Sequence, residues 1–210
     1  MRTLARFLSV LQITREQPQY GYFLTGVRAH ETSNLAEHHY LVTMTAWMLC
    51  EYINETEQLI DTNAVIKMCM VHDLGELFGG DIAAPLSRRR PDIKEHAKKI
   101  EAINFDMLTS LLSTKVKAYL TQLFDRSEVR DNDAGLIVKF ADYIETQFFL
   151  EHINKKSVMK AKFYFGHVRS LVDRIRDVRI REKMLDFCRG FEDDVREKGP
   201  IAGEWIVNGQ

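Results

Sequence analysis

Apolar residues along this chain recur three and four positions apart, alternating runs are scarce, and only Pro18, Pro85, Pro91 and Pro200 interrupt the pattern, so the periodicity predicts a string of helices. The N-terminal stretch places Leu4, Phe7, Leu8 and Leu11 on one amphipathic face. Asn34 and Glu37 have the spacing of a capping box, which opens a helix with the inward stripe Leu35, His38, Val42, Ala46, Leu49 and Ile53. Asp61 or Thr62 is expected to cap a second helix, whose face Val65, Met68, Cys69 and His72 turns inward before Gly79 and Gly80 end it. From Lys94 to Leu112 the repeat Ala97, Ile100, Ile103, Met107 and Leu111 predicts a third. The segment DNDAGLIVKFADYIETQFFLEH is apolar on most sides, as a central helix is, and carries Asp142 in its middle. From Ser157 to Lys198 the spacing of Val168, Leu171, Val172, Ile175 and Val178 predicts one or two long amphipathic helices, and residues 199–210 read as a loose tail in which Trp205 and Ile206 are able to dock. The expectation is an all-α chain: one helical domain over residues 1–198, followed by the tail.

Composition narrows the functional classes. The chain has 210 residues, 45% hydrophobic and 28% charged, with a formal net charge of -1, which provides no global attraction to nucleic acid or to an anionic membrane. Any anionic ligand must therefore be held locally. Cys50, Cys69 and Cys188 are odd in number, far apart and set among apolar neighbours, so they read as buried thiols in a reducing compartment rather than as disulfides or a zinc cluster. Charge breaks the N-terminal apolar run, unlike a signal peptide, and no run of about 18 apolar residues suggests a membrane span. A cytoplasmic protein is expected.

Against this background the polar residues on inward faces stand out: His38, His72, Asp73 and Asp142. A lone buried histidine is usually a hydrogen-bonded core residue and a lone aspartate a cap or ion-pair partner. Four from three helices, His72 and Asp73 being adjacent, also form a mixed nitrogen and oxygen set suited to Mn, Fe, Co, Ni or Zn. Spacing alone leaves the metal and structural readings level, because histidines and acids without cysteine make a weak signature.

A longer pattern separates them. Residues 72–85 fill H-D-x-x-E-x-x-x-G-D-x-x-x-P with His72, Asp73, Glu76, Gly80, Asp81 and Pro85, preceded by LAEHH and followed by VKFADYIE. Over roughly residues 28–150 the chain resembles the HD-domain superfamily of metal-dependent phosphohydrolases, and within it the bacterial 5'-deoxynucleotidases. The resemblance implies an HD-type helical bundle with a divalent metal between its central helices, held by His38, His72, Asp73 and Asp142. It implies catalytic roles for Glu76 and Asp81. Glu37 either supports His38 or only completes the capping box, and His39, the neighbour of His38, either contacts substrate or packs. Arg28 lies where the family has basic residues, and Arg88 belongs to the cluster Arg88, Arg89 and Arg90; the bland reading of at least two of these three is a solvated face. Phe23 aligns with a family arginine that contacts substrate, so Arg15 is a candidate replacement. The implied reaction is hydrolysis of deoxyribonucleoside 5'-monophosphates to deoxynucleoside and phosphate. Alternatives are a deoxynucleoside triphosphate triphosphohydrolase and a non-catalytic metal-stabilised binding module. Relatives of this type are commonly dimeric, and the C-terminal amphipathic segment offers a surface for a homodimer or for its own domain; no nucleic-acid or membrane partner is expected.

Overall fold

In the computed structural model, residues 2–83, 86, 89–129, 131–153 and 161–196 are described. Arg88, Pro85 and the tail with Trp205 and Ile206 lie outside the described residues, as does part of the segment from Ser157 to Lys198. Among the described residues there are helices and turns and no strand. The α-helices are α1 (Arg2–Val10), α2 (Leu35–Ile53), α3 (Thr62–Cys69), α4 (Pro91–Thr109), α5 (Thr114–Glu128), α6 (Asp133–His152), α7 (Ala161–Val172) and α8 (Val178–Gly190), with short 3-10 turns at Leu11–Arg15, Tyr20–Thr25 and Leu74–Glu76. No helix is long and apolar enough to cross a membrane, among the described residues.

The caps sit where side-chain chemistry places them. Asn34 accepts from the Glu37 amide while Glu37 accepts from the Asn34 amide, so the capping box at α2 is complete. Asp61, not Thr62, caps α3 by accepting from Ala64 N–H. Ser113, Asn132 and Asp177 serve α5, α6 and α8 in the same way.

Helices α2 and α6 pack against each other, α3 packs on both, α5 packs on α3 and α6, and α7 and α8 close the far side. Val42, Ala46 and Ile53 of α2, Val65 and Met68 of α3, and Ile137, Phe140 and Ile144 of α6 are completely buried. Burying such a large aliphatic or aromatic side chain contributes about 1.5–3 kcal/mol, which offsets the cost of the polar groups set among them. The three cysteines are free and buried, as expected.

Two expectations fail, each for a physical reason. The second helix stops at Cys69 instead of continuing to Gly79, because the His72 ring bonds through Nδ1 to the Cys69 carbonyl at 2.8 Å and caps the helix end. Residues 70–80 then run through consecutive turns. On α4 the inward face is Ala97, Asn104, Phe105, Leu108 and Thr109, while Ile103 and Met107 are 65% and 53% exposed and Ile100 is 45% exposed over Gly79. A helix lying close against backbone needs small and polar groups at the contact, and α4 lies against the 74–76 turn: Asn104 Nδ2 donates to the Gly75 carbonyl at 2.9 Å. At the C-terminal end the described residues form two helices, within the expected one or two, but Val178 opens α8 half exposed instead of joining the buried stripe. Leu4 and Leu8 of α1 are likewise half exposed, and only Phe7 of that stripe is buried.

Candidate metal centre and its surroundings

The α2–α6 contact brings His38 opposite Asp142, and the end of α3 delivers His72 and Asp73 beside them. One ligand atom from each of these four residues lies within 4.8 Å of every other, so the group could hold a metal ion. His38 Nε2 is 3.4 Å from Asp73 Oδ2 and 3.3 Å from Asp142 Oδ1, and His72 Nε2 is 3.1 Å from Asp73 Oδ2. His72 and Asp73 converge because the backbone has left the helix, so the 100° separation of helical neighbours does not apply to them.

Two observations fit a bound cation. Nε2 of both His38 and His72 is buried without a hydrogen-bond partner, whereas Nδ1 of each ring is engaged, by Glu145 Oε2 at 2.7 Å and by the Cys69 carbonyl at 2.8 Å. With the proton on Nδ1, each ring presents an Nε2 lone pair to the centre. Two imidazoles and two carboxylates form a donor set for a divalent first-row metal. The charges agree with the geometry. Burial opposes the ionised form of every member, yet Asp73 is held well below the carboxylate range by His72 and His38, and Asp142 is held low by Lys139 and His38. Burial would also depress His38, but Asp142, Asp73 and Glu145 raise it instead.

Glu76 follows on the 74–76 turn, partly buried, with its Oε2 buried and lacking a hydrogen-bond partner. Burial pushes its pKa well up, and the charges of Asp73, Asp81 and Glu101 add to the effect. Gly80 has φ of 76°, a left-handed conformation that favours glycine, and it turns the chain at Asp81. Asp81 Oδ2 there accepts from Gly21 N–H at 2.8 Å, and its pKa is raised by burial and by Asp73 and Asp142. Asp81 is thus anchored on the 20–25 turn.

The remaining candidates separate. His39 is buried with its ring centroid 5.0 Å from that of His72, its Nε2 is unpartnered, and burial next to His72 pushes its pKa down to about 3. It borders the cluster without joining the four. Arg28 is exposed, its backbone N–H donating to Glu31 Oε2 and its carbonyl accepting from Glu31 N–H. Arg15 donates to Gln12 and lines a surface hollow with Asn34, Glu37 and Tyr40, away from the four candidate ligands. Arg90 pairs with Asp92 on the exposed start of α4, which bears out the solvated-face reading for that residue. Phe23 sits edge-on to Tyr20 in the 20–25 turn. Glu37 is in the capping box and exposed, so the acid behind His38 is a different one.

That acid, Glu145, was not singled out by the sequence reading. It is 1% exposed and also accepts from the Tyr22 hydroxyl at 3.3 Å. The signal was present: Glu145 lies three residues after Asp142 on one helix, which puts both on the same face. Lys139, three residues before Asp142, bonds its other oxygen.

A family model described as 5'-deoxynucleotidase YfbR-like matches residues 24–193. A 5'-deoxynucleotidase of Pasteurella multocida, PM0747, is 30% identical over 135 residues, which cover 62% of this chain and 69% of that protein. The human 5'-deoxynucleotidase HDDC2 is 23% identical over 144 residues, 69% of this chain and 65% of its own. Among solved structures, the PH0347 protein of Pyrococcus horikoshii superposes with a TM-score of 0.66 at 17% identity, over 89% of this chain and 96% of that one. A protein of Magnetospirillum magnetotacticum, titled a predicted metal-dependent phosphohydrolase, superposes with a TM-score of 0.55 at 19% identity, over 82% of this chain and 90% of its own.

Proposed function

Because the chain belongs to the YfbR-like 5'-deoxynucleotidase family, we propose that it hydrolyses deoxyribonucleoside 5'-monophosphates to deoxynucleoside and phosphate at the His38, His72, Asp73 and Asp142 cluster. The observation that carries the site assignment is the pair of buried, unpartnered Nε2 atoms facing two carboxylates. A divalent ion in such a donor set supplies Lewis acidity toward phosphoryl oxygens and makes water a competent nucleophile near neutral pH.

The chain's own residues then divide the work. His38 and His72 present nitrogen lone pairs, and Asp73 and Asp142 supply the negative charge that holds a cation against the pull of solvent. Glu76 and Asp81 are the proton-handling pair. The 5'-oxygen of a sugar is a poor leaving group, and a positioned acid at that oxygen is worth about 10²–10⁴ in rate. Glu76 offers a partly buried carboxyl with its buried Oε2 unengaged; Asp81 offers a carboxyl steadied by Gly21 N–H. His39 lines the wall beside His72, where it contacts the bound nucleotide. Arg28 supplies a cationic contact from outside the cluster, and Arg88, which lies outside the described residues, remains the second candidate for that role.

The test is to load the protein with Mn or Co, offer it deoxy- and ribonucleoside mono-, di- and triphosphates, and identify the released product. Orthophosphate from deoxynucleoside monophosphates is expected, with loss of turnover in Glu76→Gln and Asp81→Asn. Release of tripolyphosphate would replace this reading by the triphosphohydrolase one, and metal binding without turnover of any nucleotide would replace it by the binding-module one.

A further inference from the structure

The two nitrogens of His38 face different surroundings. Nε2 points at Asp142 Oδ1 and Asp73 Oδ2, while Nδ1 lies 2.7 Å from Glu145 Oε2. The same Oε2 takes the Tyr22 hydroxyl at 3.3 Å, and Tyr22 is itself only 4% exposed. Glu145 therefore sits with one oxygen doubly engaged and the other, Oε1, buried without a partner. A carboxylate in that position is a liability as packing, since an unsatisfied buried oxygen costs about 1–3 kcal/mol and an apolar residue of similar volume has no such cost. It becomes useful if what matters is the orientation and tautomer of the ring it touches. An acid on Nδ1–H leaves the Nε2 lone pair facing the centre and raises its donor strength. The tyrosine that steadies this acid belongs to the same 20–25 turn whose Gly21 N–H holds Asp81.

We propose that Glu145 is a positioning residue for His38, fixing the imidazole so that its Nε2 faces the metal centre, and that Tyr22 orients Glu145 in that role. The inference rests on the metal reading of the cluster but not on the identity of the substrate.

The test uses Co(II) itself as the probe. Metal-free parent protein, Glu145→Gln, Glu145→Leu and Tyr22→Phe are titrated with Co(II) and followed by its visible absorption. Loss of the acid is expected to weaken Co(II) binding about 10- to 100-fold in Glu145→Leu. Glu145→Gln, whose amide oxygen still accepts from Nδ1–H, recovers part of that loss, and Tyr22→Phe loses less than Glu145→Leu. Histidine side-chain nitrogen NMR of the Zn(II)-loaded proteins supplies a readout that mere packing would not move: the His38 Nδ1 proton is retained in the parent and in Glu145→Gln and loses its protection in Glu145→Leu. Should the leucine variant fail to fold, the nearly isosteric glutamine variant decides through its own Co(II) affinity. Parental affinity and an unaltered His38 signal in the Glu145 variants overturn the role of Glu145; parental affinity in Tyr22→Phe alone removes Tyr22. A parent that binds no Co(II) overturns the metal reading instead, so the two failures are distinguishable.

Discussion

Replacing Gly75 with alanine tests whether helix α4 fixes the geometry of the turn that joins Asp73 to Glu76. A Cβ at residue 75 would lie 2.6 Å from the Glu101 carbonyl oxygen and 3.0 Å from two further Glu101 backbone atoms. Ordinary contact begins near 3.4 Å, so the two segments must part by about 0.8 Å, and because the obstacle is backbone no side-chain rotation relieves it. The movement also stretches the Asn104 to Gly75 hydrogen bond of 2.9 Å. Overpacking of this kind costs about 1–3 kcal/mol. Gly75 does not adopt a positive φ, so alanine also restricts the unfolded chain and returns about 0.4–1 kcal/mol. The steric term wins, leaving a net loss of about 1–2 kcal/mol, which for a chain of this size lowers Tm by about 2–8 °C. Thermal melting followed by circular dichroism measures it, with Gly166→Ala as the opposite control. A Cβ at Gly166 of α7 meets nothing within 4 Å, so alanine there should raise Tm through helix propensity worth about 0.5–1 kcal/mol. Because Gly75 lies between Asp73 and Glu76, Gly75→Ala should also weaken Co(II) binding. An unchanged or raised Tm in Gly75→Ala, with parental Co(II) affinity, would refute the claim that α4 clamps this turn.

Other outcomes are expected from the same structure. Burial beside Glu128 and Asp73 raises the pKa of Glu101 to about 7, above its ordinary 4.5. Between those values the folded protein binds more protons than the unfolded chain, so the contribution of this residue to stability is greatest at low pH and is lost as pH rises through 7. In metal-free protein Glu101→Gln should therefore raise Tm relative to the parent more at pH 8 than at pH 5, and melts at the two pH values check it. Saturating Mn or Co at about 100 times Kd should stabilise the parent by about 2.7 kcal/mol, which chelation reverses, and His72→Ala should abolish the shift; differential scanning fluorimetry reads both. Asn34→Ala removes the capping box that opens α2 and should cost about 0.5–2 kcal/mol in a melt while leaving Co(II) affinity near that of the parent, since the cap lies a full turn before His38.

Much of this was legible in the residues, and the part that was not has identifiable causes. The caps at Asn34 and Asp61 and the central α6 follow from local chemistry and periodicity, which act within a few residues and are therefore written in the sequence. His38, His72, Asp73 and Asp142 were legible as inward polar residues, but their spacing left the role open and the motif over residues 72–85 supplied it through the family resemblance. The end of α3 was hidden because a tertiary contact, the His72 ring on the Cys69 carbonyl, overrides an apolar pattern that runs on to Leu77. The inward face of α4 was hidden for a related reason: close approach to Gly75 selects Ala97 and Asn104 over Ile103 and Met107, and no periodicity of hydrophobic residues encodes what the partner backbone requires. Glu145 was missed because its partners, His38 and Tyr22, stand more than a hundred positions away. The arginines divide. Arg15, offered as a replacement for the family arginine that aligns with Phe23, is engaged by Gln12, whereas Arg90 pairs with Asp92 as the solvated-face reading expects.

The central claim is tested most directly by titrating metal-free protein with Mn or Co and following orthophosphate release from a deoxynucleoside 5'-monophosphate. The expected result is activity that appears with metal, saturates near one ion per chain, and is absent in Asp73→Ala at every metal concentration. Turnover that survives exhaustive chelation, or an Asp73→Ala variant as active as the parent, would contradict it.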